Sequence, residues 1–404
     1  MEKLKKLRLP KTLGGILIVA GTAIGAGMLA LPVVSAAGGF LPASLIFFLC
    51  WLFSASTGLL LLEVCQWMPK NANLVTMATH LLGRFGKYST WVLYLFLFYM
   101  LTIAYTAVGG NFVHDTFNAR LPFWLSATSF TLFFGFFVYL GTRFVDRINT
   151  LLMLGLVVSY LLFIFWGRSH INFSNLTQKN WGYGFLSLPV MFTSFSYQGV
   201  IPSLNAYLEE NVKKMRLAIL IGSSIPFITY VIWEMLILGI LPLDGPNGLL
   251  AAKAAGQTAI DPLKHFLRES PIYTLGQFFG FFALTTSFLG VTLGLLDFFS
   301  DSLEIEKTPL KKLFLAALIY LPPLLIVVIN PAIFLNALAF AGGIGCALLL
   351  GLIPILMVYV GRYKRHFSHL HVQLPGGKPL LFFLALFVVA ELIIVLIQEL
   401  LIKR

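Results

Sequence analysis

The sequence predicts an all-α polytopic membrane protein. Its expected architecture is eleven transmembrane helices in a five-plus-five inverted repeat, with helices one and six broken at the midplane. This prediction rests on an apolar composition, eleven long apolar segments, and residues that disfavour helix inside two of those segments. Of the 404 residues, 58% are hydrophobic and 11% are charged, whereas soluble domains carry roughly 25% charged residues. The composition therefore excludes an ordinary soluble domain.

Windows of about 20 residues locate the transmembrane segments, because a helix needs roughly that length to cross the hydrocarbon core. We call these segments spans one to eleven. They cover residues 12–37, 40–65, 88–113, 122–141, 148–166, 185–208, 217–241, 272–299, 313–329, 333–360 and 379–402. Two loops should hold short helices: an interfacial helix within 69–87 that ends at Gly83, and two amphipathic helices within 242–271.

The spans predict three regions of the chain. These are residues 1–166 (N-terminal tail and first five-helix repeat), 167–360 (second, inverted repeat) and 361–404 (cytoplasmic loop and eleventh helix). The net charge of +12 is a topology signal, because Lys and Arg concentrate in cytoplasmic loops. Most of the Lys and Arg residues fall inside if the N-terminus is cytoplasmic and the C-terminus external. They form no continuous basic face, so no nucleic-acid partner is expected.

The first break is predicted in span one, where Gly21, Gly25 and Gly27 stand beside Thr22 and Ile24. Glycine and β-branched residues disfavour helix. Unpaired backbone amides are tolerated in a membrane only where they line a cavity or meet a ligand. The half-helix that resumes after the glycines would direct its positive end at the gap, which suits a carboxylate. The alternative is a close helix contact, since Gly21 and Gly25 are spaced as GxxxG.

The second break is predicted in span six, where Pro189 and Pro202 enclose the polar stretch 193–199. Proline removes a helix donor, and a polar run cannot face lipid. Span six lies five spans after span one and so enters from the opposite side. Two broken helices in corresponding positions of oppositely oriented halves indicate a midplane binding site in an inverted-repeat transporter. A channel would instead show a filter motif or rings of charge, which the sequence lacks.

The two breaks together suit a zwitterionic amino acid. Amides freed in span one match a carboxylate, carbonyls freed in span six match an ammonium group, and nearby aromatic residues match a ring. Each of these residues taken alone is also compatible with ordinary helix packing. The expected substrate-binding residues are Thr22, Ala23, Gly25, Ala26, Gly27, Tyr105, Thr193, Ser194, Phe195, Ser196, Tyr197 and Gln198.

A coupling cation is the second expected ligand. Thr286 and Ser287 on span eight could lend hydroxyl oxygens to it, although such hydroxyls often bond back to their own helix. The buried carboxylates Glu234 and Glu63 are further coupling candidates, and Glu391 lies in the middle of span eleven. We expect no cofactor and no metal, since the three cysteines lack metal-binding spacing. An intramembrane enzyme would need a metal cluster or a nucleophile–base pair, and the group His366, His369 and His371 falls in a cytoplasmic loop, where we expect it to be solvated rather than ligating.

Several motifs resemble one known family. GTAIGAGMLALP, LLLLEV, FTSFSYQGVIPS, SFLGVTLGLLD and GGKP occur in that order and are similar to the bacterial hydroxy/aromatic amino acid permeases, above all the tyrosine- and tryptophan-specific ones. That family belongs to the amino acid–polyamine–cation superfamily. The resemblance implies eleven helices, a five-plus-five inverted repeat and uptake by proton symport in the bacterial inner (cytoplasmic) membrane.

The chain departs from the family pattern at two titratable positions. Family members carry Lys where this chain has Leu156, and they tend to carry His where it has Gln198. Related sodium-coupled transporters hold Na⁺ where this chain offers Thr286 and Ser287. We therefore expect import of an aromatic amino acid, first of all tyrosine, by cation symport, with H⁺ slightly favoured over Na⁺. The alternative is a serine/threonine or broad neutral amino acid transporter, with Na⁺ as its coupling ion.

Overall fold

The computed structural model describes residues 10–69, 72–117, 119–267, 271–305, 308–367 and 372–402. Within these ranges the chain is helical and contains no strand. Nine helices of this described part are long and apolar enough to cross a membrane, so the protein is a multi-pass membrane protein. Residues 1–9 and 403–404, whose charges contribute to the predicted orientation, lie outside the described residues, as do His369 and His371.

The α-helices follow the predicted order of spans. In chain order they are α1 (Lys11–Ala23), α2 (Leu31–Ser35), α3 (Phe40–Trp67), α4 (Leu74–Thr116), α5 (Phe123–Leu140), α6 (Thr142–Gly167), α7 (Trp181–Leu186), α8 (Leu188–Ser194), α9 (Ile201–Tyr207), α10 (Val212–Ile240), α11 (Leu249–Ala254), α12 (Leu263–Leu267), α13 (Pro271–Ser302), α14 (Pro309–Ile329), α15 (Phe334–Phe340), α16 (Ile353–Tyr359) and α17 (Gly377–Ile402). A π-helical segment, Ala341–Leu352, joins α15 to α16 within span ten.

Span one is interrupted within its glycine-rich stretch, as predicted. Helix α1 ends at Ala23, and Ile24 and Gly25 are extended. A 3₁₀ turn, Ala26–Leu29, then leads into α2. The short half-helices leave backbone groups without helical partners at both sides of the gap.

Span six is interrupted between its prolines rather than at them. Pro189 and Pro202 lie in the first turns of α8 and α9, where a missing amide hydrogen costs nothing because that hydrogen has no helical acceptor. The interruption is the stretch 195–197, which precedes a 3₁₀ turn, Gln198–Val200. The prolines therefore start the half-helices, and the polar residues between them end α8.

Two of the predicted loops contain the short helices that we expected. The interfacial helix ends at Gly83, whose φ of 71° is left-handed, but the chain continues directly into span three, so that α4 runs for 43 residues. The loop 242–271 contains α11 and α12. Helix α10 packs along α1 and α3, and α13 packs along α6 and α4. This packing brings side chains of α10 and α13 against the two breaks.

Candidate substrate site at the two helix breaks

Ser287 of α13 occupies the gap in span one. Its Oγ accepts a hydrogen bond from the Ala26 N–H at 2.9 Å, and α4, which carries the buried Tyr105, packs along α13. A Cβ on Gly25 would overlap Ser287 Oγ. The backbone of Gly25 is extended (φ −164°), so the position needs glycine for space rather than for its dihedral angles. Residues of spans one and eight thus meet at this point.

Two further amides of span one face the gap without a protein partner. Among the described residues, the N–H groups of Gly25 and Gly27 donate to no acceptor, whereas the Met28 N–H donates to the Gly25 carbonyl at 3.1 Å. A Cβ on Gly27 would lie 2.7 Å from Ser194 Oγ. The two breaks therefore approach each other here, beside amide donors that a carboxylate could use.

Tyr230 of α10 links the two breaks. Its hydroxyl lies 2.6 Å from the Ala23 carbonyl oxygen and 2.8 Å from the Ser194 carbonyl oxygen. These carbonyls stand at the C-terminal ends of α1 and α8, where helical donors are missing. The hydroxyl carries one proton for two acceptors. Sequence reasoning missed Tyr230; the available signal was a phenol within an apolar span, which needs a partner when buried.

Aromatic side chains enclose this junction. The Phe195 ring lies 5.1 Å from the Tyr230 ring and 6.2 Å from the Phe47 ring of α3, measured between centroids. On the other side, Trp233 Nε1 donates to the Met28 carbonyl at 3.0 Å. All four rings are fully buried. The junction thus combines polar backbone groups with apolar walls, the usual composition of a small-molecule site.

Three predicted hydroxyl residues bond to helix backbone instead of facing the gap. Thr22 is exposed and donates to the Ile18 carbonyl at 2.7 Å. Thr193 Oγ1 lies 2.9 Å from the Leu338 carbonyl, which ties α8 to α15. Ser196 donates to Phe192 within its own segment. These bonds use the hydroxyl protons, and a contact between these three residues and the substrate stays a prediction.

Tyr197 and Gln198 face α3. The Tyr197 hydroxyl donates to the Ser54 carbonyl at 3.1 Å, and Gln198 Nε2 donates to Thr57 Oγ1 at 3.0 Å. Gln198 Oε1 is buried without a hydrogen-bond partner among the described residues. Leu156 is buried in α6. Both Leu156 and Gln198, where the resemblance implies titratable groups, are thus neutral and buried in this chain.

The Thr286 hydroxyl bonds to its own helix, which is the alternative to cation binding that the sequence left open. It bonds back to the Phe282 and Ala283 carbonyls at 2.9 and 3.1 Å. This bonding uses the hydroxyl proton and leaves oxygen lone pairs that could coordinate a cation. The described residues contain no cluster of three or more His, Cys, Asp or Glu side chains suited to a metal ion.

The two carboxylates proposed for coupling differ in their partners. Glu63 forms a buried ion pair with Arg362, with N–O distances of 2.7 and 2.6 Å, and accepts the Gln373 N–H at 2.9 Å. Both oxygens of Glu63 are thus used in contacts that tie α3 to the segment around Arg362 and Gln373. Glu234 is fully buried, accepts a hydrogen bond from Ser35 of α2, and keeps its second oxygen without a described partner.

A cavity that borders Leu29, next to the first break, is too small for an amino acid. It has a volume of about 60 Å³ and reaches from Leu29 to the loop that carries α11 and α12, whereas ligand pockets measure roughly 300–1,000 Å³. Asp261 lines it and accepts from the Thr258 N–H at 2.7 Å. Burial raises the pKa of Asp261 to about 6, partly opposed by the bonds from Thr258. The junction is therefore closed in this conformation.

A bundle of long apolar helices, with two broken helices meeting at a buried polar junction, defines a membrane permease. The chain belongs to the tryptophan/tyrosine permease family, whose family model matches residues 8–396. This is a family of permeases and not of enzymes, and the resemblance drawn from the motifs is confirmed.

Individual relatives align over nearly their whole length. The chain is 33% identical to the tyrosine-specific transport system 1 of Haemophilus influenzae over 372 residues, covering 91% of this chain and 92% of the relative. It is 31% identical to a tryptophan-specific transport protein of Pseudomonas aeruginosa over 394 residues, with coverages of 95% and 94%. It is 30% identical to glutamine transporter 2 of Aliivibrio fischeri over 379 residues, with coverages of 91% and 95%.

Proposed function

We propose that this protein is a secondary active transporter that imports an aromatic amino acid, first of all tyrosine, across the bacterial inner membrane. The observation that carries the proposal is the junction of the two breaks. Unpartnered amides of Gly25 and Gly27 lie there beside the carbonyls of Ala23 and Ser194. Donors for a carboxylate and acceptors for an ammonium group are thus close together. Relatives described as tyrosine- and tryptophan-specific support an aromatic substrate.

Binding requires the junction to open, and its present hydrogen bonds indicate how. The substrate carboxylate would accept hydrogen bonds from the Gly25 and Gly27 N–H groups and would compete with Ser287 Oγ for the Ala26 N–H. The ammonium group would replace the Tyr230 hydroxyl at one of the carbonyls, so that no backbone group is left unpaired. The substrate ring would stack against Phe195, beside the other aromatic rings of the junction.

We further propose eleven membrane crossings in a five-plus-five inverted repeat, with a cytoplasmic N-terminus and a periplasmic C-terminus. In the part of the chain that the structure describes, nine long helices and two interrupted ones, five spans apart, are consistent with this arrangement. The repeats would be residues 1–166 and 167–360, followed by the loop and eleventh helix at 361–404. The distribution of Lys and Arg supports the orientation.

Cation symport is the proposed driving reaction, with protons favoured. Glu234 supports this preference because it is a titratable group that is fully buried and accepts a hydrogen bond from Ser35 of α2, the half-helix that follows the gap. Sodium remains the alternative, with Ser287 and Thr286 as oxygen donors near the end of α1. Moving one charge across 100 mV is worth about 2.3 kcal/mol, so either ion can drive useful accumulation.

A broader neutral amino acid substrate is the second candidate. The relative described as a glutamine transporter favours it. A serine or threonine carrier belongs to the same alternative.

Uptake of labelled tyrosine into proteoliposomes tests these proposals. Unlabelled tyrosine, tryptophan or phenylalanine should compete strongly, while alanine, lysine and glutamate should compete weakly. Stronger competition by glutamine or serine than by every aromatic acid would move the assignment to the alternative. A proton gradient without sodium, and then a sodium gradient at matched pH, identifies the coupling ion. Accumulation driven by sodium alone would refute the preference for protons.

A further inference from the structure

Glu391 stands on the buried face of α17. Leu384, Val388, Glu391 and Val395 follow one another at spacings of three or four residues and are at most 8% exposed. This spacing places them on one side of a helix, while the opposite side, with Phe383 and Leu396, is exposed. A carboxyl group thus occupies a position at which its neighbours on the same face are Leu and Val.

Neither carboxyl oxygen of Glu391 has a hydrogen-bond partner among the described residues. Among the segments packed against α17, α3 carries the buried thiol of Cys50 and the π-helical segment carries the buried thiol of Cys346. Helix α8 contributes no titratable side chain, and the only ones on α7 and α16 are the exposed Tyr183 and Tyr359. No cation faces the group from any of these elements. An unpaired ionised carboxylate is very costly in such surroundings, so Glu391 holds a proton in this conformation.

A short chain of contacts connects Glu391 to the second break. The π-helical segment packs closely against α17 and α8, because a Cβ on Gly343 would overlap Val395 Cγ2 of α17 and lie 3.2 Å from Pro189 Cβ of α8. In the same π-helical segment, a Cβ on Gly342 would overlap the Pro189 carbonyl of α8. Segments of π-helix occur frequently at functional sites. A shift of this segment would therefore alter both the surroundings of Glu391 and the end of α8.

We propose that Glu391 is a proton-binding site of the transport cycle. Its carboxyl group is protonated when the junction is closed, and it releases that proton when helix movements bring water or a cation to it. One proton binds and the same proton leaves, with no covalent change. This inference rests on the proposed symport and assigns the titratable group to α17, outside both five-helix repeats.

The test compares Glu391→Gln with wild type in proteoliposomes. Glutamine has nearly the same shape and mimics the protonated acid, so we expect exchange of tyrosine across the membrane without a gradient to stay within about twofold of wild type. Accumulation driven by a proton gradient should fall at least tenfold. Glu399→Gln, on the same helix about 12 Å away along its axis, serves as the matched control and should accumulate tyrosine normally. Glu391→Asp, which keeps a titratable group, should restore part of the coupling.

The outcomes separate this inference from the proposed function. Proton-driven accumulation by Glu391→Gln at the wild-type level would overturn the inference while leaving proton symport intact. Wild-type accumulation driven by sodium alone would overturn it while leaving transport intact. If wild type transports no aromatic acid, the proposed function fails, and infrared spectroscopy then decides about Glu391. A carbonyl band of a protonated carboxyl that disappears in Glu391→Gln supports the site, and the absence of such a band overturns it.

Discussion

Gly25→Ala should impair transport because the added methyl group enters space that Ser287 occupies. A Cβ at this position would overlap Ser287 Oγ but would lie 3.6 Å from Ser287 Cβ, an ordinary contact. The hydroxyl must therefore move away, which breaks its 2.9 Å hydrogen bond with the Ala26 N–H. Overpacking costs typically 1–3 kcal/mol, and a lost hydrogen bond costs about 0.5–1.5 kcal/mol. Because about 1.4 kcal/mol corresponds to a tenfold change, we expect the rate of uptake to fall at least tenfold.

The measurement is the initial rate of labelled tyrosine uptake into proteoliposomes, with the thermal midpoint in detergent as a check on folding. Gly199→Ala is the matched control, because Gly199 belongs to the other break and its Cβ would meet nothing within 4 Å. The double variant Gly25→Ala/Ser287→Ala removes the overlapping oxygen. It should therefore lose less activity than the product of the two single effects predicts.

Two results would refute this reasoning. If Gly25→Ala transports as well as Gly199→Ala, close packing at the first break does not limit function. If the effects of Gly25→Ala and Ser287→Ala simply multiply, the two residues do not interact and the loss has another cause.

Three further substitutions test the remaining contacts. Tyr230→Phe removes the donor shared by the Ala23 and Ser194 carbonyls. We expect this variant to lose about 1–3 kcal/mol of the free energy of unfolding and to bind tyrosine more weakly. Unchanged stability and unchanged tyrosine binding would contradict the role of Tyr230. Glu63→Gln leaves Arg362 buried without its ion-pair partner, so the free energy of unfolding of this variant should fall by about 3–5 kcal/mol, which thermal unfolding in detergent would detect. A much smaller decrease would show that Glu63 contributes little to stability. The pKa of Asp261 is raised above its ordinary value to about 6, so its favourable contribution to stability is complete below about pH 4 and is lost as the pH rises through 6. Asp261→Asn should flatten that part of the pH dependence of the thermal midpoint, and a wild-type profile in this variant would refute the assignment.

The sequence by itself determined the class of the protein and the places where its helices stop. Apolar runs of about 20 residues located the spans, because the thickness of a bilayer sets their length. The break at Gly25 and the left-handed turn at Gly83 follow from backbone preferences that act within a few residues. The prolines of span six do not themselves interrupt the helix, since Pro189 and Pro202 lie in the first turns of the two half-helices. Their effect depends on the position that each occupies in a helix.

Only the tertiary structure decided which side chains meet. Ser287 and Ala26 are 261 residues apart, and Glu63 and Arg362 are 299 residues apart. Helical periodicity identifies the buried face of each helix, but it does not specify which helix that face contacts or how the helices are shifted along one another. For this reason Thr22 and Thr193, chosen for their place in the sequence, bond to backbone, whereas Tyr230, a phenol within an apolar span, joins both breaks. The partner of a buried polar group is set by helix packing, which depends on the whole chain.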